Sequence, residues 1–226
     1  MSSRKTALVT GAARGIGRAI AQKLSRDGAA VAVNYVSNAN SAEETAAEIK
    51  AAGGNAIALP ADVSKLEDIK RLFDQTIEHF GRLDILINNA GIRISKNVAE
   101  IDEAEYDRLF AINVKGTFFT CQQAVHRLSD GGRIINISSA VTRMMLPGYS
   151  IYAASKGAVD QITRVLAKEL GSRHITVNAV APGPVDTELF RDGKSDEQIQ
   201  QMAQMAARNL ICALNGQPMP SCINPE

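Results

Sequence analysis

At 226 residues the chain is long enough to bury a core without disulfide or metal staples. Apolar residues make up 45% and charged residues 22%, and 25 basic side chains against 24 acidic ones leave a net charge of +1, so nothing steers the protein toward nucleic acid or an anionic membrane. No apolar run approaches the roughly 18 residues that a bilayer demands, and the apolar stretch in "MSSRKTALVTG" is too short for a signal peptide.

In chain order, the first strand is predicted at "KTALVT" (5–10), followed by a glycine-rich turn, "TGAARGIGRAI", that opens a helix. A second strand follows at "AVAVNY" (30–35). Ser41 with Glu44 then reads as a capping box for the helix in "SAEETAAEIKAAGG", which the glycines close. A third strand, "NAIALP" (55–60), precedes a helix whose apolar stripe is Leu66, Ile69, Phe73, Ile77 and Phe80. "LDILIN" (83–88), "GRIINIS" (132–138) and "ITVNAV" (175–180) are the remaining strands. All six are nearly continuous apolar runs, as strands buried on both faces require. Connections this long permit right-handed crossovers, so the sheet is expected to be parallel with helices on both faces. The fold class is α/β, one doubly wound domain.

Cys121, Cys212 and Cys222 are odd in number and lack CxxC spacing, which favours a reduced, cytoplasmic setting. His79, His126 and His174 form no HxxxH pair, and no metal site is expected.

The glycine turn carries Gly11, Gly15 and Gly17, spaced GxxxGxG. Glycine there lets the backbone approach a pyrophosphate, and the helix behind it offers unpaired N–H groups and its positive dipole end. The end of the second strand bears on the choice of nucleotide. Sites for NAD place an acid there to accept from the ribose 2′-hydroxyl, but "VAVNYVSNAN" has no acid before Glu43. A 2′-phosphate would meet no repulsion, and Arg14 with Ser37 and Asn38 offers it hydrogen bonds. NADP(H) is therefore expected to be preferred over NAD(H).

In "PGYSIYAASKG", Tyr152 and Lys156 are four residues apart and share one face of a helix, whereas Tyr149 has Ala153 in the corresponding place. A phenol titrates near 10, too high for easy proton shuttling at neutral pH, and a neighbouring ammonium is expected to lower it. Tyr152 is thus the candidate general acid/base.

Taken together, the glycine turn, "NNAG" (88–91), "YAASK" (152–156) and "PGPVDT" (182–187) resemble the short-chain dehydrogenase/reductase family, from about residue 5 to about 207. The likeness is nearest to 3-oxoacyl-carrier-protein-reductase-like and sugar or alcohol dehydrogenase members. It implies a Rossmann-type sheet and hydride transfer between a nicotinamide and a carbonyl or secondary alcohol, of 3-oxoacyl or small ketone or aldehyde type. It assigns Tyr152 as acid/base, and gives Lys156 the nicotinamide ribose as well as the tyrosine. Of Ser138 and Ser139 in "NISSA", the family's separation selects Ser139 to hydrogen-bond the carbonyl. Asn113 in "FAINVKG" matches the helix asparagine that helps to hold a water near the lysine.

Cofactor contacts implied by the resemblance also include Ile16 of the glycine turn, Asn34, Asn89, Ala90 and Gly91. Asn88 and Asn89 suit bracing the backbone as well as touching cofactor. Asp62 and Val63 match an adenine-contacting pair, although Asp62 is also placed to cap the following helix. Pro182, Gly183 and Val185 lead to Thr187, which matches the residue at the nicotinamide carboxamide. The family also implies a homodimer or homotetramer, with the helices around 102–127 and 150–171 available for one interface.

The resemblance covers 1–207 as one catalytic domain and leaves 208–226 as an atypical tail. Members continue to a further strand, whereas this chain ends "RNLICALNGQPMPSCINPE". The strand at 175–180 is then expected to be an exposed apolar edge, partly filled by "NLICAL" (209–214) if at all. A helical pattern through Ile199, Met202, Ala206, Leu210 and Leu214 extends toward the tail, with Met202 and Met205 suited to a pocket wall or to plain core. A catalytically impaired, cofactor-binding scaffold is the alternative to an enzyme.

Overall fold

The computed structural model of the chain describes residues 4–191 together with 195 and 197. Six parallel strands form one sheet: β1 (Thr6–Val9), β2 (Ala30–Tyr35), β3 (Asn55–Pro60), β4 (Ile85–Asn88), β5 (Arg133–Ile137) and β6 (Thr176–Val180). Their order is β3-β2-β1-β4-β5-β6. Each lies inside its expected apolar window. β4 starts two residues late because the Asp84 carboxylate is used as a clamp, accepting from Thr6 N at 2.8 Å and from Arg82 Nε at 2.8 Å.

Alternate residues of a strand serve opposite faces. Leu8 and Leu86 pack with α3 (Leu66–Phe80), α5 (Thr117–Arg127) and α7 (Ser150–Glu169). Val9 and Ile87 pack with α1 (Gly15–Arg26) and α2 (Ala39–Ala51) on the other face. Both faces are covered, which is why the strands carry unbroken apolar runs. In α3, Ile69 and Phe73 are buried as expected, with Leu72 beside them, but Leu66 opens the helix and is 44% exposed. The expected capping box at Ser41 and Glu44 does not form. α2 begins earlier, and Asn38 caps it by accepting from Ser41 N at 3.2 Å.

The segment 103–127 is helical throughout but changes pitch. α4 (Glu103–Phe110) passes through a π-helical turn (Ala111–Gly116) into α5. Such turns widen the helix by one residue and cluster at functional sites. Here the turn sets Asn113, fully buried, toward the carboxyl end of the sheet, where Gly116 packs on Val63. A chain of side-chain bonds ties this region together. Thr120 Oγ1 donates to Asn88 Oδ1 (2.7 Å), Asn88 Nδ2 to Asn136 Oδ1 (2.9 Å) and Asn136 Nδ2 to Thr163 Oγ1 (2.9 Å). It joins α5, β4, β5 and α7 in a buried setting where each bond holds a group that water cannot reach. Asn88 is thus a brace rather than a cofactor contact.

Among the described residues β6 pairs only with β5. Thr176, Asn178, Ala179 and Val180 are exposed, so this edge is open but mixed in polarity rather than apolar. The expectations for Met202, Met205 and the 208–226 tail lie outside the described residues. Strand order reverses between β1 and β4, and a sheet of this kind opens its ligand crevice at the carboxyl ends beside such a reversal.

Candidate active site

The turn after β1 is built by strict local geometry. Gly11 and Gly15 take φ of +60° and +54°, which side chains disfavour. Gly17 lies beneath them, where a Cβ would stand 2.5 Å from both Asn89 Nδ2 and Gly11 O. That Asn89 amide donates to Thr10 O (2.9 Å) and Gly11 O (3.0 Å), so "NNAG" clamps the glycine turn from the neighbouring strand. α1 starts at Gly15 and points its N-terminus into the cleft. Gly11, Arg14, Gly15, Ile16, Asn89, Ala90 and Gly91 line one continuous recess with Ser37, Asn38, Asp62, Val63 and Thr187. The cradle fits a dinucleotide: its floor is backbone and small side chains, and a Cβ at Gly17 would force the turn off its Asn89 clamp.

At the β2 end, one expectation needs correction. Asn34 is fully buried, its Oδ1 accepting from Gly11 N (3.1 Å) and its Nδ2 donating to Leu59 O (3.2 Å) and Ala61 O (3.0 Å). It ties β2 to the glycine turn and presents nothing to a ligand. Asn38 lines the recess, and while its side-chain oxygen caps α2, a phosphate would accept from its Nδ2. Arg14 and Ser37 stand where expected, and Arg14 Nη1 is bound to the Glu188 carboxylate. Asp62 folds back on Ser64, accepting from its N (2.9 Å) and Oγ (2.7 Å), so it shapes the turn into α3 while lining the recess.

A second recess joins the first at Ile16, Asn89, Gly91 and Thr187, and is lined by Ser139, Tyr152, Lys156, Pro182, Gly183 and Val185. Ser139 and Tyr152 are each 9% exposed and line this recess together, and Ser139 Oγ accepts from Val141 N at 3.4 Å. Ser138 also lines the recess, but its Oγ is turned to Lys156 O at 3.5 Å. Lys156 lies beneath, 5% exposed, donating from Nζ to Ile137 O at 2.7 Å, with Nζ 5.9 Å from the Tyr152 ring centroid. Asn113 accepts from Ile92 N (2.9 Å) and donates to Ile92 O (2.9 Å) and Ser155 Oγ (3.1 Å). Its amide hydrogens are therefore committed to the protein. Its Oδ1 and Lys156 Nζ still converge beside Gly91, where an added Cβ would lie 3.3 Å and 3.5 Å from them.

The expected electrostatics are reversed. Burial pushes the Tyr152 phenol above its ordinary value, and the neighbouring Ser139 hydroxyl and the charge of Arg93 only offset this in part. Lys156 does not lower it, because burial dominates the lysine too, bringing its pKa down from 10.5 to about 8. Sharing a helix face put the pair together, but removal from water, not mutual attraction, sets their titration.

Residues 5–198 match the family model described as short chain dehydrogenase. The chain belongs to the short-chain dehydrogenase/reductase family. It is 44% identical over 223 residues to a short-chain dehydrogenase/reductase of Pestalotiopsis microspora, covering 95% of this chain and 84% of that protein. It is 45% identical over 187 residues to a hydroxynaphthalene reductase-like protein of Metarhizium brunneum, covering 82% and 70%. The crystal structure of an angucycline C-6 ketoreductase with bound NADP superposes with a TM-score of 0.83 at 44% identity, covering 89% of this chain and 80% of that one. As a member of the family, the protein is an oxidoreductase of the CH–OH/keto type.

Three features of this short-chain dehydrogenase/reductase went unpredicted. Ser155 donates to Tyr152 O (2.7 Å) while accepting from Asn113, and so links the π-helical turn to α7. Glu188, on the short helix α8 (Glu188–Arg191), meets Arg14 across the cleft. Arg93, in the loop after β4, lines the second recess beside Tyr149 and Tyr152. Only Ser155 left a trace in the sequence, three residues after Tyr152 on the buried face of one helix.

Proposed function

We propose that the protein interconverts a ketone and a secondary alcohol, using NADP(H) in preference to NAD(H). The observation that carries this reading is the convergence of Ser139, Tyr152 and the buried Lys156 in one recess at the end of the dinucleotide cradle. Bound nicotinamide would supply or accept the hydride. Ser139 would hold the carbonyl oxygen against developing negative charge, and Tyr152 would donate its proton to that oxygen in reduction or remove it in oxidation. Lys156, fixed by Ile137 O, would contact the nicotinamide ribose. Asn113 would hold Gly91–Ile92 and, with the lysine, a water beside Gly91. Pro182, Gly183, Val185 and Thr187 would close the nicotinamide end, and Arg14 with Ser37 would hold the 2′-phosphate.

The substrate wall contains Val141 and Met144 of the short helix α6 (Val141–Met144), with Leu146, Leu189 and Phe190. This apolar lining favours a ketone on an apolar, ring-bearing body over a very small aldehyde, in keeping with the hydroxynaphthalene reductase-like and ketoreductase relatives. The reading includes a homodimer or homotetramer in the cytoplasm. Tyr106, Phe118 and Val165, exposed on α4, α5 and α7, support contact through those helices. No helix among the described residues is long and apolar enough to cross a membrane.

The test is a fluorescence titration with NADPH and NADH, followed by NADPH oxidation across a panel of bicyclic aryl ketones, 3-oxoacyl thioesters and aldehydes. Tighter binding of NADPH and ketone-dependent oxidation are expected. Equal or tighter binding of NADH would overturn the cofactor preference. Binding with no turnover across the panel would favour a cofactor-binding scaffold.

A further inference from the structure

Arg93 stands two residues beyond Gly91 in the loop after β4 and is half-buried. Its Nη1 lies 3.4 Å from Tyr149 Oη, and its guanidinium carbon is 5.9 Å from the Tyr149 ring centroid. Tyr149 in turn stands edge-on to Tyr152, with ring centroids 6.3 Å apart. One aromatic ring therefore separates the guanidinium from the candidate proton donor, and all three side chains line the same recess. The positive charge reaches the site, since it favours ionisation of Tyr152.

The described lining of this recess has two cationic residues, Lys156 and Arg93. Lys156 is held on Ile137 O below the reacting groups, and its role is taken by the chemistry already described. Arg93 is given no contact with the reacting atoms in that chemistry and acts on Tyr152 only through its charge. Beside the apolar Val141, Met144 and Leu146 it sets a planar fork of donors that matches a carboxylate or a pair of oxygens. In such a setting a charge-assisted bond is stronger than at an exposed surface.

We propose that Arg93 is a specificity-determining residue that binds an anionic oxygen of the substrate, about one ring away from the carbonyl held by Ser139 and Tyr152. The substrate class is then a ring-bearing ketone that also carries an acidic oxygen, such as a carboxylate. The assignment rests on the ketone-reducing reading above.

The experiment compares the wild type with Arg93→Met and Arg93→Lys, using NADPH and a matched set: 1-tetralone, its ring-carboxylated isomers and their methyl esters. The wild type should prefer at least one carboxylate to its ester by tenfold or more in kcat/KM. Arg93→Met should lower kcat/KM for that carboxylate about 30-fold, mostly through KM, as expected for a lost hydrogen bond to a charged group. Its effect on 1-tetralone should be at least tenfold smaller. Arg93→Lys, which keeps the charge but not the fork, should recover part of the loss. A wild type indifferent to every carboxylate, or a parallel fall on carboxylate and parent ketone, would overturn the assignment and leave Arg93 a brace for Tyr149. If Arg93→Met does not fold, Arg93→Lys decides by the same comparison. A wild type that binds NADPH yet reduces none of the ketones overturns the ketone-reducing reading, and the Arg93 assignment falls with it.

Discussion

The two ends of the cleft differ in how much water they keep. At the β2 end the Arg14 and Glu188 side chains are 64% and 68% exposed. At the other end Tyr152 and Lys156 are 9% and 5% exposed. Where water remains, charges are screened and an ion pair contributes between nothing and about 1 kcal/mol. Where it is excluded, desolvation outweighs pairing, and both titrating groups are shifted toward their neutral forms. The buried end is thus costly to the fold and intolerant of change, while the exposed end is cheap to retune. Mutations should separate the two ends by size of effect and by pH response.

The largest effect is expected from Tyr152→Phe. It removes the phenolic oxygen and keeps the ring packed against Leu109 and Ile151. Turnover should fall about 10³-fold, within the span of general acid–base catalysis, while NADPH affinity changes less than threefold. Single-turnover and binding measurements on one preparation separate these quantities. A comparable collapse of cofactor affinity would make Tyr152 a binding residue first.

Lys156→Met should also lower turnover steeply, about 10²-fold, yet stabilise the cofactor-free protein at neutral pH. The folded state holds the ammonium less well than the unfolded chain does, with a pKa of about 8 instead of 10.5. Below about pH 8 both states are protonated and the full cost is present, about 3 kcal/mol at ~1.4 kcal/mol per pKa unit. Between about 8 and 10.5 the unfolded chain binds more protons, so wild-type stability recovers as pH rises. Losing the bond to Ile137 O returns about 1 kcal/mol of that gain. The variant should therefore melt a few degrees higher than wild type at pH 7, and the advantage should vanish by about pH 10.5. A variant that melts lower at pH 7, with no convergence at high pH, would remove burial as the dominant cause.

The same contrast explains how much was legible beforehand. Strands buried on both faces announce themselves as unbroken apolar runs, so all six were readable from local composition. The glycine turn was readable because backbone geometry there excludes side chains. Ser139, Tyr152 and Lys156 were readable as a motif, but their titration was not: spacing on a helix reports proximity, whereas loss of water depends on what the rest of the chain packs above. Asn34 shows the same limit, since an asparagine at a strand end reads alike whether it faces a ligand or is consumed by Leu59 and Ala61. Arg93 comes from a loop and Glu188 from the first residue of a four-residue helix, where no period predicts direction. Asn38 shows that one amide can serve two ends, since its oxygen caps α2 while a phosphate would accept from its nitrogen.

At the exposed end, effects should be smaller and sensitive to salt. Arg14→Gln should weaken NADPH about tenfold and NADH less than twofold, a difference that shrinks as ionic strength rises. Equal weakening of both would place Arg14 at the pyrophosphate shared by the two cofactors.

The smallest expected effect has the opposite sign. Glu188 now holds the guanidinium proposed for the 2′-phosphate, so the phosphate would have to displace a carboxylate from it. Glu188→Gln keeps the size of the side chain and removes both the competing ion pair and a negative charge near the phosphate. NADPH should bind two- to threefold more tightly to the variant, and NADH should bind unchanged. The pair is exposed, so the gain should fade by about 0.5 M salt, where the screening length is only a few ångströms. If instead Glu188→Gln weakened both cofactors alike, the contact would serve to hold α8 over the cleft, and the pair would belong with the structural clamps of the buried end.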